Sequence, residues 1–321
     1  MLRWIAGRVA QAALTLLVVV AAAFLLLESL PGDPLPRGDD PSLTLADRQR
    51  LEAVYALDRP PAERFLTFVS HALRGDFGIS LSRHRPVLEV LLTALGPTLL
   101  LTGTALAIAF TLGLTLGTRA ALHPRGPSGM VVHRLLPALD ALPPFWLGLL
   151  AIWLFAWKLD WLPASHMRRA GAQGFDLPDL LRHLLLPALV IGVPSAAAVA
   201  RHHATRLAES LAGAAALAGR AMGLPRRVLL RRALRESAQP VVALAGLALP
   251  VTVGGAVVVE VVFSWPGLGR VHHQALEARD LPLVLGGLIL VGAAVLVGGI
   301  LTDLLGAWLD PRQRLGSEEA R

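Results

Sequence analysis

The sequence predicts an all-α membrane protein, and three observations carry that class. Hydrophobic residues make up 54% of the 321, while charged residues reach only 17%, against about one quarter in a soluble domain. Long, uninterrupted apolar runs recur at 9–30, 97–118, 136–157, 184–200, 240–262 and 283–307. Each comes near the ~20 residues that carry a helix across about 30 Å of hydrocarbon, 184–200 being the shortest. The runs are continuously apolar and lack the alternation of barrel strands, so helices are the spanning form.

Taken in order, the first run is longer than the ~7–15 residues of a cleavable signal core. It reads as a retained transmembrane helix occupying 1–30. The segment 31–95 is polar and balanced, with eight arginines against nine acids. Within it, 43–57 and 61–78 read as short helices, the second because Phe65, Phe68, Val69 and Ala72 keep helical spacing. Residues 96–310 hold the other five runs as a helical core, and 311–321 form a tail. Glycines and prolines inside the runs, among them Gly103, Gly113, Gly148, Gly192, Pro194, Gly254 and Gly255, suit either close helix packing or ordinary membrane-helix composition.

Orientation follows from arginine. The loop 201–239 carries Arg201, Arg206, Arg220, Arg226, Arg227, Arg231, Arg232 and Arg235. Arg3 and Arg8 precede the first run, Arg119, Arg125 and Arg134 lie between the second and third, and Arg312 and Arg314 follow the last. The positive-inside rule places both termini, 119–135 and 201–239 in the cytoplasm, and 31–95, 158–183 and 263–282 outside.

Residue chemistry then excludes most enzyme classes. There is no cysteine, hence no disulfide, thiolate metal site or cysteine nucleophile. Lys158 is the one lysine and follows Trp157, so there is no phosphate-binding Gly-Lys-Ser/Thr loop. No HExxH helix or GxSxG turn occurs. The pairs His202–His203 and His272–His273 are adjacent rather than i,i+4, and do not form a helical chelate. Glu28, Asp140, Glu260 and Asp303 fall near the ends of runs, where an interfacial partner or water serves them; a proton-coupled carrier wants a carboxylate at mid-depth. The chain is therefore expected to bind no cofactor or metal and to do no covalent chemistry.

The segment "GRAMGLPRRVLLRRALRES", 219–237, holds the densest positive charge. Gly219 and Gly223 interrupt helix, and Pro225 suits the first turn of a new one. Arg227, Arg231 and Arg235 then make a basic stripe, with Leu230, Ala233, Leu234 and Ser237 on another face. No aromatic residue lies between 201 and 239 to stack on bases, which argues against nucleic acid. Anionic lipid remains a fitting surface. The glycine break favours a structured loop that docks on a protein.

Several stretches share a pattern with one family. "LRWIAGRVAQ…LLLESLPGDPL", "LRGDFGISLSRHRPVLEVL", "GPTLLLTGTALAIA", "LPPFWLGLLAIWLF…WLPAS", "HLLLPALVIGVPSAAAVAR" and above all "VVEVVFSWPGLGR…ARDLPLVLGGLIL…LTDLLGAWLDPR" resemble the permease subunits of bacterial ABC importers of the dipeptide, oligopeptide and nickel type. The resemblance runs through nearly the whole chain. It implies a type I ABC importer permease fold of six transmembrane helices, with an extra N-terminal span and an external helical segment, in the inner membrane. It also implies a second, similar permease subunit, two ATP-hydrolysing subunits and an extracytoplasmic binding protein as partners, besides membrane lipid. In that family 201–239 is the EAA loop, whose coupling helix sits in a cleft of the ATPase. Ala218, Gly219 and Gly223 fall at or near its signature positions, and Arg226, Arg227 and Arg231 follow on the coupling segment. Leu217 stands where the family carries an acidic or polar residue. Phe263, Trp265, Pro266, Gly267, Gly269 and Arg270 match the external signature. Short peptides are the expected substrate, with nickel or a metal chelate as the alternative. An ion-coupled secondary carrier is the more distant reading.

Overall fold

The computed structural model describes residues 2–29, 60–171 and 174–309. Among them the elements are helical apart from one antiparallel bridge, Ile79 to Pro86. The helices are α1 (Leu2–Ser29), α2 (Pro61–Ala72), α3 (Val87–Leu122), α4 (Pro127–Asp140), α5 (Pro144–Lys158), α6 (Leu177–Ala212), α7 (Ala214–Ala221), α8 (Arg226–Val262), α9 (Leu268–Glu277) and α10 (Leu281–Leu309). α4 contains a π-helical turn at Val131–Leu135, and α5 ends in another at Ile152–Lys158. The predicted helix 43–57 and the tail 311–321 lie outside the described residues.

Among the described residues four helices are long and apolar enough to cross a membrane, in α1, α3, α6 and α10; α4 with α5 would make a fifth. The predicted run 240–262 lies within α8, and its side chains up to 255 are outside the described residues. The predicted run 136–157 is not one straight helix: α4 and α5 meet at 103°. The run 184–200 is the middle of a helix of 36 residues. Its polar ends, from Asp179 to Arg182 and from Arg201 to Glu209, hide its length from hydropathy.

Burial differs sharply among the apolar helices. Only 12% of the apolar window of α1 is buried, against 67% for α6. Leu14, Leu17, Val18, Leu25 and Leu26 of α1 are exposed. Such a surface would cost free energy in water and costs none against lipid tails. The chain is an all-α, multi-pass membrane protein.

Residues Met1–Gly96 and Arg270–Leu296 form one compact unit. Its core sets Val20 and Phe24 against Leu285, with Leu16, Phe65, Phe68 and Leu288 around them. Phe24 and Phe65 meet with ring centroids 5.4 Å apart. Beside them the buried Arg64 donates to Glu28 Oε1 at 2.6 Å, giving that acid its interfacial partner. α2 stops at Ala72 rather than 78, because Gly75 and Gly78 take φ near +79° and +78°, which is left-handed backbone that glycine adopts without strain. The turn is tied by Asp76, whose Oδ1 accepts from Gly78 N–H at 3.0 Å and whose Oδ2 lies 3.0 Å from His71 Nδ1.

The same unit contains a clasp absent from the sequence reading. Asp280, fully buried, accepts at Oδ2 from Ser80 Oγ (2.5 Å), Ser82 Oγ (2.7 Å) and Ser82 N–H (2.9 Å), and at Oδ1 from Leu283 N–H (3.2 Å). It thus caps α10 and anchors the 79–86 loop. Asp280→Ala leaves buried donors without an acceptor and removes a cap. We expect a loss of about 2–4 kcal/mol, read as a lower denaturation midpoint of the detergent-solubilised protein, with Asp280→Asn milder.

The second unit, Pro97–Gly269 with Val297–Arg321, is built around α6. Ala188, Gly192, Ala196, Ala200 and Ala204 recur every four residues and are all buried, forming a small-residue seam. A Cβ on Gly192 would come 2.6 Å from Ala105 O. On α3, one on Gly113 would meet Val199 Cγ1 at 2.5 Å and one on Gly117 would meet Ala200 O at 2.7 Å. Gly113 and Gly192 are therefore packing glycines, whereas Gly103, around which a Cβ would meet nothing within 4 Å, is not.

Candidate coupling loop and signature corner

α6 ends at Ala212, where Gly213 turns extended (φ −69°, ψ 164°). α7 follows, and its end is built by hydrogen bonds. Leu224 N–H donates to Gly219 O (2.9 Å) and Gly223 N–H to Arg220 O (3.0 Å), with Gly223 at φ +76°. This is a Schellman cap with glycine at its left-handed position. Pro225 then stands before α8 with ψ 143°, and the chain doubles back.

The two glycines have different duties. A Cβ on Gly219 would come 2.6 Å from Leu229 Cδ2 and 3.2 Å from Leu224 Cδ1, while one on Gly223 would meet nothing within 4 Å. The close approach of the two arms is at Gly219; Gly223 is needed for its backbone angle. Ala216 and Gly219 of α7 face inward, as do Leu229, Ala233 and Ser237 at four-residue spacing on α8. Ser210 Oγ donates to Glu236 Oε2 at 2.6 Å, and Arg220 Nη2 donates to Leu211 O at 2.9 Å. The first holds the returning α8 to the end of α6, and the second holds α7 to it.

The outward face is mixed. Leu217 and Met222 are 55% and 73% exposed. Ala218 and the side chains of Arg226, Arg227, Arg231, Arg232 and Arg235 are exposed with them. Arg226 and Arg227 stand in the first turn of α8, which has no acid to offset the positive end of the helix dipole. An apolar knob beside an uncompensated positive pole suits an acidic protein cleft with an apolar floor.

The signature at 263–270 folds into a tight corner at the end of α8. Trp265 N–H donates to Glu260 O (2.8 Å), Gly267 N–H to Trp265 O (2.8 Å), and Ser264 takes φ +51°. Trp265 and Phe263 are fully buried. Trp265 Nε1 donates to Pro97 O at 2.9 Å, using the carbonyl at the point where α3 contains a proline. Glu260 is fully buried too. Thr98 Oγ1 donates to Glu260 Oε1 (2.6 Å) and accepts from Leu268 N–H (2.7 Å). Gly267 and Gly269 lie directly on the carboxylate: a Cβ at either would stand 2.2 Å from Oε1 and 2.9 Å from Oε2 respectively. Pro266 is exposed, and Arg270 is half-buried in the first turn of α9. Phe263, Trp265, Gly267 and Gly269 are thus brought together as packing around one buried acid. The sequence singles out Glu260 as an acid at the end of an apolar run but gives no sign of Thr98, its buried partner.

The histidine pairs separate. His203 is buried, its Nε2 3.0 Å from Thr118 Oγ1, while His202 is exposed. His272 is half-buried, and burial lowers its pKa, while His273 is exposed, with Nδ1 3.5 Å from Glu277 Oε2.

Long apolar helices joined by a loop with a basic and apolar outer face define a polytopic helical membrane protein. Residues 113–315 match the binding-protein-dependent transport system inner membrane component, and the chain belongs to that family. It is 36% identical over 316 residues to a putative peptide permease protein of Brucella ovis, covering 97% of this chain and 99% of that one. It is 33% identical over 319 residues to the glutathione transport system permease protein GsiC of Escherichia coli K12, covering 98% and 99%. With the oligopeptide transport system permease protein AppB of Bacillus subtilis it shares 31% over 299 residues, 92% and 94%. It is a transport permease subunit and not a catalytic enzyme.

Proposed function

We propose that this chain is one half of the membrane pathway of an ATP-driven importer of short peptides. The observation that carries the reading is end-to-end likeness to peptide, oligopeptide and glutathione permeases; glutathione is itself a tripeptide. Those relatives favour peptides over nickel or a metal chelate. A second permease subunit supplies the other half, two ATPase subunits bind the α6–α8 loop, and a binding protein delivers the substrate. With the apolar part of α8 as a sixth span both termini fall on one side, and the arginine bias favours the cytoplasm for that side, with the permease in the inner membrane.

The loop supports the coupling role. Ala218, Gly219 and Gly223 lie on the short, hydrogen-bonded α7 turn between two long helices, and Arg226, Arg227 and Arg231 on the first turns of the second of these, α8. A rigid lever transmits a rigid-body motion, and arginines pair bidentately with carboxylates.

The test is uptake of labelled di- and tripeptides by the reconstituted complex, with nickel(II) in parallel. We expect ATP-dependent peptide uptake that requires the binding protein, and no ATP hydrolysis by this chain alone. The ATPase subunits should bind inside-out vesicles and not sealed, right-side-out ones. Nickel uptake without peptide uptake would overturn the substrate, and the reverse vesicle preference would overturn the orientation.

A further inference from the structure

The bend between α4 and α5 holds a group that the coupling reading leaves unused. Asp140 ends α4 and is exposed, as are Ala141, Pro143 and Pro144. Its depth can be read along α6. On the α4 side, Val132 and Leu136 share a cluster with Ala197, Ala200 and Ala204. On the α5 side, Leu147, Ala151, Ile152 and Phe155 pack on the cluster of Leu180, Leu184, Ala188 and Ile191. Phe263 and Val262 at the end of α8 also flank α5 at Gly148, and along α6 the two clusters leave the bend nearest the stretch between Ile191 and Ala197. That stretch lies inside the apolar run 184–200, its centre ten residues from Leu184 and six from Ala200, and so within a ~30 Å hydrocarbon layer rather than at its edge. The sequence places Asp140 near the end of a span; the packing sets it deeper, inside the apolar layer.

A carboxylate at that depth is costly against lipid. So is irregular backbone, which membranes tolerate only where it is buried in protein or lines a watery cavity. Prolines at 143 and 144 lack the N–H groups that a continuous helix would offer to the carbonyls of Leu139 and Asp140. Leu142 N–H takes over Leu139 O at 3.2 Å. The bend is thus rich in acceptors and poor in donors, and among the described residues no cation pairs with Asp140. Phe145 and Trp146 stand beside it, 49% and 46% exposed, and aromatic faces attract cations.

We propose that the Asp140–Pro144 bend lines the translocation pathway and that Asp140 receives the N-terminal ammonium of a passing peptide. An ammonium brings one positive charge and three donors, the complement of a carboxylate with backbone carbonyls. The assignment rests on the peptide reading above. It makes Asp140 a substrate-contacting residue that favours peptides with a free amino terminus.

Two measurements on the assembled complex test it. This chain has no cysteine, so Ala141→Cys is a single reporter once the partner subunits are made cysteine-free. In liposomes it should react with hydrophilic methanethiosulfonates, the cationic reagent about tenfold faster than the anionic one, and adding Asp140→Asn should bring that ratio near unity. An unreactive thiol, which means lipid or a partner subunit covers the bend, overturns the proposal, and so does an unchanged ratio. Peptide uptake should fall about fivefold or more in Asp140→Asn and be largely kept in Asp140→Glu, at equal recovery of the assembled complex. Equal uptake by wild type and Asp140→Asn overturns the assignment to Asp140 while leaving the peptide reading intact. Absence of peptide uptake in the wild type removes the peptide reading itself.

Discussion

Gly219→Val is expected to cut peptide uptake at least tenfold while leaving the chain in the membrane at near-normal abundance. The first added atom would already stand 2.6 Å from Leu229 Cδ2, and valine adds two more methyls on a stiff, branched carbon. Leu229 is buried against the loop and can yield only part of the distance by changing rotamer. Overpacking of this kind costs about 1–3 kcal/mol. The cost falls on the seating of α7 against α8 and not on any span, so insertion is spared. The ATPase subunits should co-purify poorly or lose substrate-stimulated hydrolysis. Gly219→Ala, with one atom and a movable neighbour, should be milder. Gly223→Ala should act differently: there is open space around it, and the penalty is the left-handed backbone, about 1–2 kcal/mol, which Gly223→Asn should largely avoid. Arg227→Glu with Arg231→Glu should weaken ATPase recovery without altering the loop. Normal recovery and normal coupled hydrolysis in Gly219→Val and in the charge-reversal pair would mean that the segment is a basic helix lying on lipid.

The difference between Gly219 and Gly223 shows how far this sequence could be read. Both glycines were visible as breaks, but only the Schellman hydrogen bonds reveal which one turns the chain and which one admits a neighbour. Apolar runs gave away α1, α3 and α10, because lipid selects for composition and composition is additive along the chain. The same additivity hid the bend at 140–144: Ala141 and Leu142 keep the window apolar, and the signal lies in two adjacent prolines that a hydropathy average treats as neutral. It also shortened α6, whose ends are charged yet helical, with Asp176 capping the first turn. Least legible were the polar clasps. Asp280 finds Ser80 and Ser82 some 200 and 198 residues away, and Glu260 finds Thr98 162 residues away. No local pattern encodes such pairings; they arise from packing, which satisfies a buried carboxylate or excludes it.

The Glu260 corner offers the second large effect, in a form that separates contact from mere proximity. Gly269→Val should yield little or no assembled complex, because a Cβ there would lie 2.5 Å from Val257 Cα, a backbone atom of a long helix that cannot step aside. Gly267 is the more informative site. A Cβ on it would strike the carboxylate itself, 2.2 Å from Oε1 and 2.3 Å from Cδ of Glu260, so Gly267→Ala should destabilise strongly by forcing the acid off Thr98. Glu260→Ala should also destabilise, by about 2–4 kcal/mol, since it leaves a cavity and a buried Thr98 hydroxyl without its acceptor. Glu260→Asp withdraws the carboxylate by one methylene. Alone it weakens the corner by stretching the Thr98 contact. Combined with Gly267→Ala, it vacates the space that the new methyl needs. The two changes should therefore be less harmful together than their sum, with a coupling of about 1–3 kcal/mol in thermal or denaturant unfolding of the purified complex. Strict additivity would mean that Gly267 and Glu260 do not share this space, and that the signature glycines matter for backbone angles alone.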